Sequence, residues 1–421
     1  MSLVTSNLQP WPTRKLKTLA LLVTEKAADN SDFKVGLEHI ENWTGRRIDS
    51  DATFEGTGVA FKKGDLLFGK LRPYLAKAWV ADREGAAVGD FLVLRPNAEV
   101  SSSYLRDVLL SPQQIEAITA SVYGAKMPRA SWEFVRELET SAPALSDQLL
   151  VNQFLDRETA EIDAFIADQE ELIALLTERR SATISHAVTK GLDPSAPMKD
   201  SGVEWLGAVP LSWRISRIGH AYNLTLGKMV NASKQVGDLI PYVRAGNLQD
   251  YGLDLTEIKK LHATQQELQA LSLLSGDVLV VEGGAGYGRS DYLQKDLPGW
   301  IFQNHVIRAR PIGEQNGRYF DYYVKSLRAR GHFESLGSFA TIPNLSSEKL
   351  ASIEFPFVPA PDQAAIVEHL DRETAEIDAN IADAREAIAL SKERRAALIS
   401  AAVTGKIDVR NHGATVHEGV K

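Results

Sequence analysis

Apolar residues recur at helical spacing along two long, otherwise polar stretches of the chain. In each stretch they fall on one narrow stripe at 100° per residue, which predicts an amphipathic helix. Each stretch begins beside a proline and an Asp-Gln pair and ends near a glycine, as helix boundaries do. The stripes consist of Leu155, Ile162, Ile166, Ile173, Leu176, Ile184 and Ala187 in the first stretch and Leu370, Ile377, Ile381, Ile388, Ile399 and Ala402 in the second.

The two stretches are copies of one another. The phrase LDRETAEIDA at 155–164 returns at 370–379, and 155–193 aligns with 370–408 without a gap at about two-thirds identity. Ungapped duplication indicates a unit whose length matters. A helix from about 147 to 190 would be roughly 65 Å long. A helix of that length needs a partner along its surface, and its own copy is the obvious one.

The charges within each copy favour antiparallel pairing. Carboxylates such as Asp163 and Asp378 crowd the first turns, whereas a Glu-Arg-Arg triplet with Arg180 or Arg395 lies toward the far end. Antiparallel helices would set the acidic start of one against the basic end of the other, and both polarities suit the helix dipole. The alternative is that these side chains are merely solvated helix faces.

A second stripe of small residues also recurs on both copies. It consists of Ala160, Ala167 and Ala174, matched by Ala375, Ala382 and Ala389. Alanine is the best helix former, so the stripe could reflect helix propensity alone. The alternative is a smooth seam onto which the helices of another protein dock.

The segments between the helices are related more faintly. Short β-rich runs alternate with glycine loops, which predicts an α+β domain with a curved sheet. Gly64-Asp65 in the first block is answered by Gly276-Asp277 in the second, but the loops that follow differ completely. A shared scaffold with different loops indicates two modules that read different targets.

The predicted fold class is therefore α+β, with two globular domains that read different targets, separated by two long helices in an antiparallel coiled coil, and with an internal pseudo-two-fold duplication. The expected boundaries are 1–145 for the first domain, 146–193 for the central helix, 194–361 for the second domain, 362–410 for the C-terminal helix and 411–421 for a disordered tail.

Composition refines this picture in two ways. The net charge is −8, but the acidity lies in the helical segments: 146–193 carries 4 basic and 10 acidic side chains, whereas 1–145 carries 18 of each. The balanced blocks can therefore hold local basic faces.

The absence of cysteine excludes disulfides and thiolate zinc sites. No apolar run is long enough to span a bilayer and no signal peptide is evident, so a cytoplasmic location is expected.

Signals of catalysis are weak. A strand followed by Gly284-x-Gly286-x-Gly288 could be a cofactor loop, a backbone that approaches a polyanion, or an ordinary turn. Asp254 with Glu257-x-Lys259 matches the tail of a metal-dependent nuclease signature, which is common by chance. The histidines show no metal spacing, and no phosphate-binding loop or nucleophilic triad is present. The pattern favours binding over catalysis.

Basic and polar side chains in the loops are the candidate DNA contacts, although each could be an ordinary surface residue. Arginine, lysine and asparagine can read base edges or hold phosphates. The candidates are Lys70, Arg72, Tyr74, Lys77, Lys126 and Arg129 in the first block, and Lys228, Arg244, Asn247, Gly286, Tyr287, Arg289, Thr341 and Asn344 in the second.

Three phrases of the chain resemble the DNA specificity subunit of type I restriction–modification systems. They are the two copies of DQ…LDRETAEID…ERR…VT and the phrase DSGVEWLGAVPLSW before the second block. The first block lacks the full form of that lead-in. The resemblance implies a subunit without catalytic activity of its own, in which the loops around 70–77, 126–129, 283–289 and 341–344 face a bipartite double-stranded DNA site.

The resemblance also implies partners. Two adenine methyltransferase subunits, which carry S-adenosylmethionine, would bind the repeated helices, and two motor-nuclease subunits would join them. This chain itself would hold no cofactor and no metal. The main rival is a coiled-coil scaffold whose two α+β modules bind proteins, and an enzymatic alternative, a fused methyltransferase or nuclease, lacks its motifs.

Overall fold

The structure is a computed structural model that describes residues 11–28, 31, 33–52, 54, 56–122, 126–230, 236–335 and 345–410. The chain divides into two compact units: unit 1 comprises 1–170 and 385–421, and unit 2 comprises 171–384. Each unit contains one globular block and part of each long helix. The predicted tail and two candidate contacts, Thr341 and Asn344, lie outside the described residues.

Unit 1 builds its block from short strands and three short helices. These are β1 (Thr13–Lys15), β2 (Ala20–Val23), β3 (Lys34–Val35), β4 (Val59–Phe61), β5 (Leu66–Gly69), β6 (Ala78–Val80), β7 (Gly85–Ala87), β8 (Phe91–Pro96), α1 (Ser102–Leu109), α2 (Pro112–Ala120), α3 (Trp132–Val135) and β9 (Glu139–Ser141). The strands form a four-stranded antiparallel sheet in the order β2-β8-β5-β6, a three-stranded sheet in the order β3-β7-β4, and a β1-β9 pair.

The long helix α4 (Leu145–Lys190) follows, and unit 2 then repeats this plan. Its elements are β10 (Met198–Asp200), β11 (Ala208–Pro210), β12 (Arg214–Arg217), α5 (Ile218–Ala221), β13 (Tyr222–Leu226), β14 (Asp238–Val243), β15 (Leu248–Gln249), β16 (Gly252–Leu253), β17 (Lys259–Ala263), α6 (Gln265–Ala270), β18 (Val278–Val281), β19 (Ser290–Tyr292), β20 (Ile301–Phe302), β21 (Val306–Pro311), α7 (Gly317–Ala329), α8 (His332–Ser335), α9 (Ser347–Ser352), β22 (Glu354–Phe357) and the second long helix α10 (Ala360–Val403). The four-stranded antiparallel sheet runs β13-β21-β18-β19, and the three-stranded sheet runs β17-β14-β20.

The central strands are apolar on both faces because each face covers a different core. In β5, Leu66 and Phe68 join the cluster under α1 and α2, whereas Leu67 points into the cluster of the three-stranded sheet. In β18, Val278 and Leu279 divide between two cores in the same way. Since successive strand residues face opposite sides, a run without polar alternation is what a doubly covered strand requires.

Each long helix ends close to a glycine, as the sequence predicts, although α10 stops at Val403 and not at 410. Gly191 follows α4 with a φ of 77°, and Gly405 lies two residues after α10 with a φ of 73°. Glycine adopts this left-handed conformation without steric cost and so terminates a helix.

The two long helices pair antiparallel, as predicted. In unit 1, Leu155 near the start of α4 shares a core cluster with Ile399 near the end of α10. In unit 2, Ile184 near the end of α4 shares a core cluster with Leu370 near the start of α10. In both units, therefore, the start of one helix packs against the end of the other.

The predicted stripe is buried most deeply toward the globular blocks. Buried members are Leu155, Ile162, Ile184, Leu370, Ile377, Ile381 and Ile399, and half-buried members are Ile166, Ile173, Leu176 and Ile388.

The predicted charge matching also occurs, as the same contact in each copy. In unit 1, Nε of Arg395 lies 3.0 Å from Oδ1 of Asp163. In unit 2, Nε of Arg180 lies 2.8 Å from Oδ1 of Asp378. These four residues are therefore more than solvated helix faces, because each links the acidic start of one helix to the basic end of the other.

Candidate nucleic-acid interface

Two loops of unit 1 join to form one basic surface, which we call the unit 1 loop cluster: Lys70, Arg72, Tyr74, Lys126 and Arg129. The main-chain amide of Arg72 donates to the Pro128 carbonyl at 2.8 Å, and that of Ala130 donates to the Lys70 carbonyl at 2.8 Å. These bonds bring together two segments that lie more than 50 residues apart in the chain.

The side chains of the unit 1 loop cluster are available to a ligand. Arg72 and Lys126 are exposed, and Tyr74 keeps 47% of its surface accessible. Within the described ranges, Lys70, Arg72 and Lys126 make no ion pair, whereas Nε of Arg129 lies 3.0 Å from Oδ1 of Asp90. Three cations without an acidic partner form a surface suited to phosphates.

Lys77, which was predicted to contact DNA, has a different position. Its ammonium donates to the main-chain carbonyl of Leu37 at 2.6 Å, and burial lowers the pKa of this lysine. The side chain is turned toward its own domain, where the ammonium supplies a hydrogen-bond donor to the Leu37 carbonyl. Lys77 therefore braces the loop instead of extending into solvent.

Unit 2 offers a different surface, because its candidate cations are paired with carboxylates. Lys228 forms an ion pair with Glu267, and Arg244 forms one with Glu257. Arg289 is likewise paired with the carboxylate of Asp250, whose Oδ2 lies 2.8 Å from Nη2 of the arginine.

Asn247, the other residue predicted to contact DNA that is turned inward, makes its hydrogen bonds within its own domain. The side chain is buried, its amide donates to the Asp254 carbonyl at 2.7 Å, and its oxygen accepts from the Arg244 amide at 3.0 Å. With its donor and acceptor used inside the domain, it cannot read a base edge in this conformation. Asn247 shapes the short turn of residues 245–247 that precedes β15.

The glycine-rich segment forms a turn between antiparallel strands. After β18 the chain passes through a 3₁₀ turn at Gly284–Gly286 and returns as β19, which pairs with β18. This connection is a hairpin and not the βαβ crossover of a dinucleotide site. Gly284 has a φ of 80° with open space around it, and Tyr287 packs edge-on against Phe333 at 6.0 Å between ring centroids.

The nuclease-like triplet does not form a metal centre. Glu257 is paired with Arg244, and Asp254 accepts from the Thr256 amide and the Tyr251 hydroxyl. Within the part of the chain that the structure describes, no group of three or more His, Asp or Glu side chains is arranged to hold a metal ion.

The same carboxylate–guanidinium pair joins the central strands of each block. Asp65 accepts from Nε and Nη2 of Arg95 at 2.8 and 2.7 Å, and Asp277 accepts from the same atoms of Arg310 at 2.7 Å each. The carboxylates are almost fully buried. This planar two-point contact fastens β5 to β8 and β18 to β21 at the strand ends opposite the loops 70–77 and 283–289.

The blocks are attached to the long helices by a tyrosine that occupies equivalent positions in both copies. The Tyr104 hydroxyl donates to the Val403 carbonyl at 3.0 Å in unit 1, and the Tyr319 hydroxyl donates to the Val188 carbonyl at 2.9 Å in unit 2. Each bond satisfies a carbonyl of the last helical turn, which has no partner within the helix. Sequence reasoning missed these residues, although their separation of 215 equals the repeat distance.

The glutamine of the repeated Asp-Gln pair makes a second attachment in each unit. The Gln148 side chain accepts from the Ser101 amide at 2.9 Å and donates to the Glu99 carbonyl at 3.0 Å. Gln363 accepts from the Asn316 amide at 2.8 Å. In both copies this glutamine holds the segment that precedes the tyrosine-bearing helix.

The stripe of small residues on the long helices is open to solvent. Ala160, Ala167, Ala174, Ala375, Ala382 and Ala389 are all exposed. The stripe is therefore not used to pair α4 with α10.

Comparison with known proteins shows what part of the chain is similar to. Residues 210–386, which contain most of the second block, match the model of the type I restriction modification DNA specificity domain. This match covers less than half of the chain. Among the described residues, no helix combines the length and apolar content needed to cross a membrane.

Two curated relatives are similar over part of their length. The EcoKI specificity subunit of Escherichia coli strain K12 and the StySPI specificity subunit of Salmonella potsdam are each 24% identical over 213 residues, covering 48% of this chain and 44% of the relative. The chain thus aligns with less than half of the curated relatives that it matches.

Solved structures extend the likeness in fold to nearly the whole chain. A chain from a study of complex assembly and conformational transition of the type I R-M system superposes with a TM-score of 0.70 at 20% identity, covering 95% of this chain and 99% of that one. The HsdS subunit from Thermoanaerobacter tengcongensis has a TM-score of 0.52 at 18% identity, covering 97% and 100%.

Proposed function

We propose that this chain provides the DNA sequence specificity of a type I restriction–modification complex, with each globular block reading one half of a bipartite site. One observation carries the proposal: the two blocks share their sheets, buried ion pairs and helix attachments, yet differ in the loops that present basic side chains. Two copies of one scaffold that carry different loops are suited to two half-sites of different sequence.

The antiparallel pairing of the helices matches the two-fold symmetry of duplex DNA. Duplex DNA looks the same after a two-fold rotation perpendicular to its axis, so two related readers can address two half-sites on one face. We expect the half-site centres to lie about one helical turn apart, at roughly 34 Å. The excess acidity of the helical segments discourages them from binding the unread spacer.

The helices would also bind the catalytic partners. The exposed alanine stripe offers a smooth surface onto which the helices of two adenine methyltransferase subunits can dock, and two motor-nuclease subunits would complete the complex. In this proposal S-adenosylmethionine belongs to the methyltransferase, and this chain contributes recognition without catalysis. The complex would act in the cytoplasm, on the cell's DNA.

Two measurements test the proposal. Methylome sequencing of a host that carries this protein and its companion methyltransferase should reveal one bipartite methylated motif. Binding of the purified complex to a duplex with that motif should weaken steeply with salt, because each phosphate contact releases a counterion. A protein-binding scaffold would give no motif and no DNA affinity.

A domain exchange tests whether the blocks read independently. Replacing residues 1–145 with the corresponding block of another family member should change one half-site of the methylated motif and leave the other unchanged. A change in both half-sites would contradict independent reading.

A further inference from the structure

Three elements of unit 2 converge on the carboxylate of Asp250. Nε and Nη2 of Arg289 lie 3.1 and 2.8 Å from its two oxygens, and Nη1 of Arg328 lies 2.7 Å from Oδ1. Asp250 is in the turn between β15 and β16, Arg289 follows the glycine-rich turn, and Arg328 is near the end of α7. Hydrogen bonds from the two arginines hold the pKa of Asp250 below its ordinary value, although partial burial alone would raise it.

The carboxylate leaves a defined edge of the Arg289 guanidinium free. It accepts from Nε and from one N–H of Nη2. Among the described residues, the outer N–H groups of Nη1 and Nη2 have one further contact, a long 3.5 Å approach of Nη1 to the Gln249 amide oxygen, and the side chain keeps 23% of its surface exposed. That outer edge is the pair of parallel donors that matches the O6 and N7 acceptors of guanine in the major groove. A phosphate accepts from many directions and does not need an oriented guanidinium plane.

The surrounding backbone holds this arrangement in place. The Leu253 amide donates to Asp291 at 2.7 Å, which fixes the β15–β16 hairpin to β19. Gly288 has a φ of 72°, and a Cβ there would lie 2.6 Å from the Phe333 ring. The Tyr287 hydroxyl donates to the Phe333 carbonyl at 3.0 Å. Because the turns on both sides are tied down, the Arg289 side chain is oriented before a ligand arrives.

We propose that Arg289 reads one guanine in the half-site of unit 2, with Asp250 as the positioning residue that orients it. Arg328 shares the same carboxylate, so the three side chains together retain one positive charge for the duplex. The inference rests on the proposed function. It adds the base that is read, guanine, the residue that reads it, Arg289, and the residue that positions Arg289, Asp250. In the unit 1 loop cluster the corresponding support is a single contact among the described residues, in which Nε of Arg129 donates to Oδ1 of Asp90 at 3.0 Å.

The test uses the complete complex with its companion methyltransferase and duplexes that carry the motif found by methylome sequencing. The variants are Arg289→Lys, which keeps the charge but loses the planar fork, and Asp250→Asn, which keeps the shape but loses the charge. Glu314→Gln is the matched control, because Glu314 is an exposed carboxylate in the turn before α7. In a second series, 7-deazaguanine replaces each guanine of the motif in turn and removes its N7 acceptor.

Both variants should lower the preference for guanine at one position of one half-site by about ten- to a hundredfold, and leave the other half-site unchanged. 7-Deazaguanine at that position should weaken the wild-type complex but make little further difference to Arg289→Lys. The control should match the wild type. Unchanged recognition of the other bases in the unit 2 half-site shows that the mutated block is folded.

Three results would overturn the inference. The first is an unaltered base preference in both variants. The second is a uniform loss of affinity across sequences with a salt slope reduced by about one, which indicates a phosphate contact. The third is a unit 2 half-site without guanine. If the wild-type complex shows no specific motif at all, the proposed function fails as well, so the two failures are distinguishable.

Discussion

The ion pair between the long helices occurs twice with the same residues but in different surroundings. In unit 1 the side chains of Asp163 and Arg395 are only 14% and 12% exposed, and Arg395 also donates to the Trp43 carbonyl at 2.9 Å. In unit 2 the side chains of Asp378 and Arg180 are 52% and 27% exposed. One pair of residue types can therefore be compared at two degrees of burial.

The perturbation is a double-mutant cycle in each unit: Asp163→Asn with Arg395→Gln, and Asp378→Asn with Arg180→Gln. Asp163→Asn leaves the largely buried Arg395 without this counterion and should cost about 3 kcal/mol. Arg395→Gln should cost less, because Nη1 of Arg46 lies 3.6 Å from Oδ2 of Asp163. The coupling free energy in this cycle should be about 2 kcal/mol. The exposed unit 2 pair is screened by water and salt, so its coupling should stay below about 1 kcal/mol.

The assay is hydrogen exchange of the intact chain, followed by mass spectrometry of peptides from 385–403 and from 360–384. A chain with two compact units need not unfold in one step, so local opening is a better measure than one melting temperature. Raising the ionic strength should weaken the unit 2 coupling more than the unit 1 coupling. Equal coupling in the two units, or stronger coupling in unit 2, would refute the assignment of the difference to burial.

Further predictions concern the attachments and the helix surfaces. Tyr319→Phe leaves the Val188 carbonyl without its donor and should lower the free energy of local opening in unit 2 by about 1–2 kcal/mol, measured by hydrogen exchange of peptides from 317–329. Tyr251→Phe should have almost no effect, because the Tyr251 ring is mostly exposed. Equal effects would contradict this role of the buried bond. Ala167→Arg should abolish binding of the methyltransferase in pull-down experiments while the circular dichroism spectrum stays unchanged, and intact binding would dismiss the docking seam. Inserting helical residues near position 170 should lengthen the spacer in the methylated motif, and a constant spacer would show that the helices do not set it.

The sequence by itself determined the long helices, their duplication and their antiparallel pairing. Periodicity and repetition can be recognised along the chain without knowledge of any tertiary contact. The separation of acidic and basic residues on each copy favours the antiparallel orientation of the two helices. The likeness of the two blocks could also be predicted from the sequence, because Gly64-Asp65 and Gly276-Asp277 recur at nearly the same distance before the two long helices.

Only the tertiary structure decided which polar side chains are available to a ligand. Lys77 is engaged by a carbonyl 40 residues away, and the carboxylate that orients Arg289 lies 39 residues before it. Asn247 is buried under its own turn, whereas Arg72 stays exposed. These partners are brought together by strand pairing and loop closure, and no local pattern records them. A loop sequence shows which chemical groups are present, and the fold selects those that remain free.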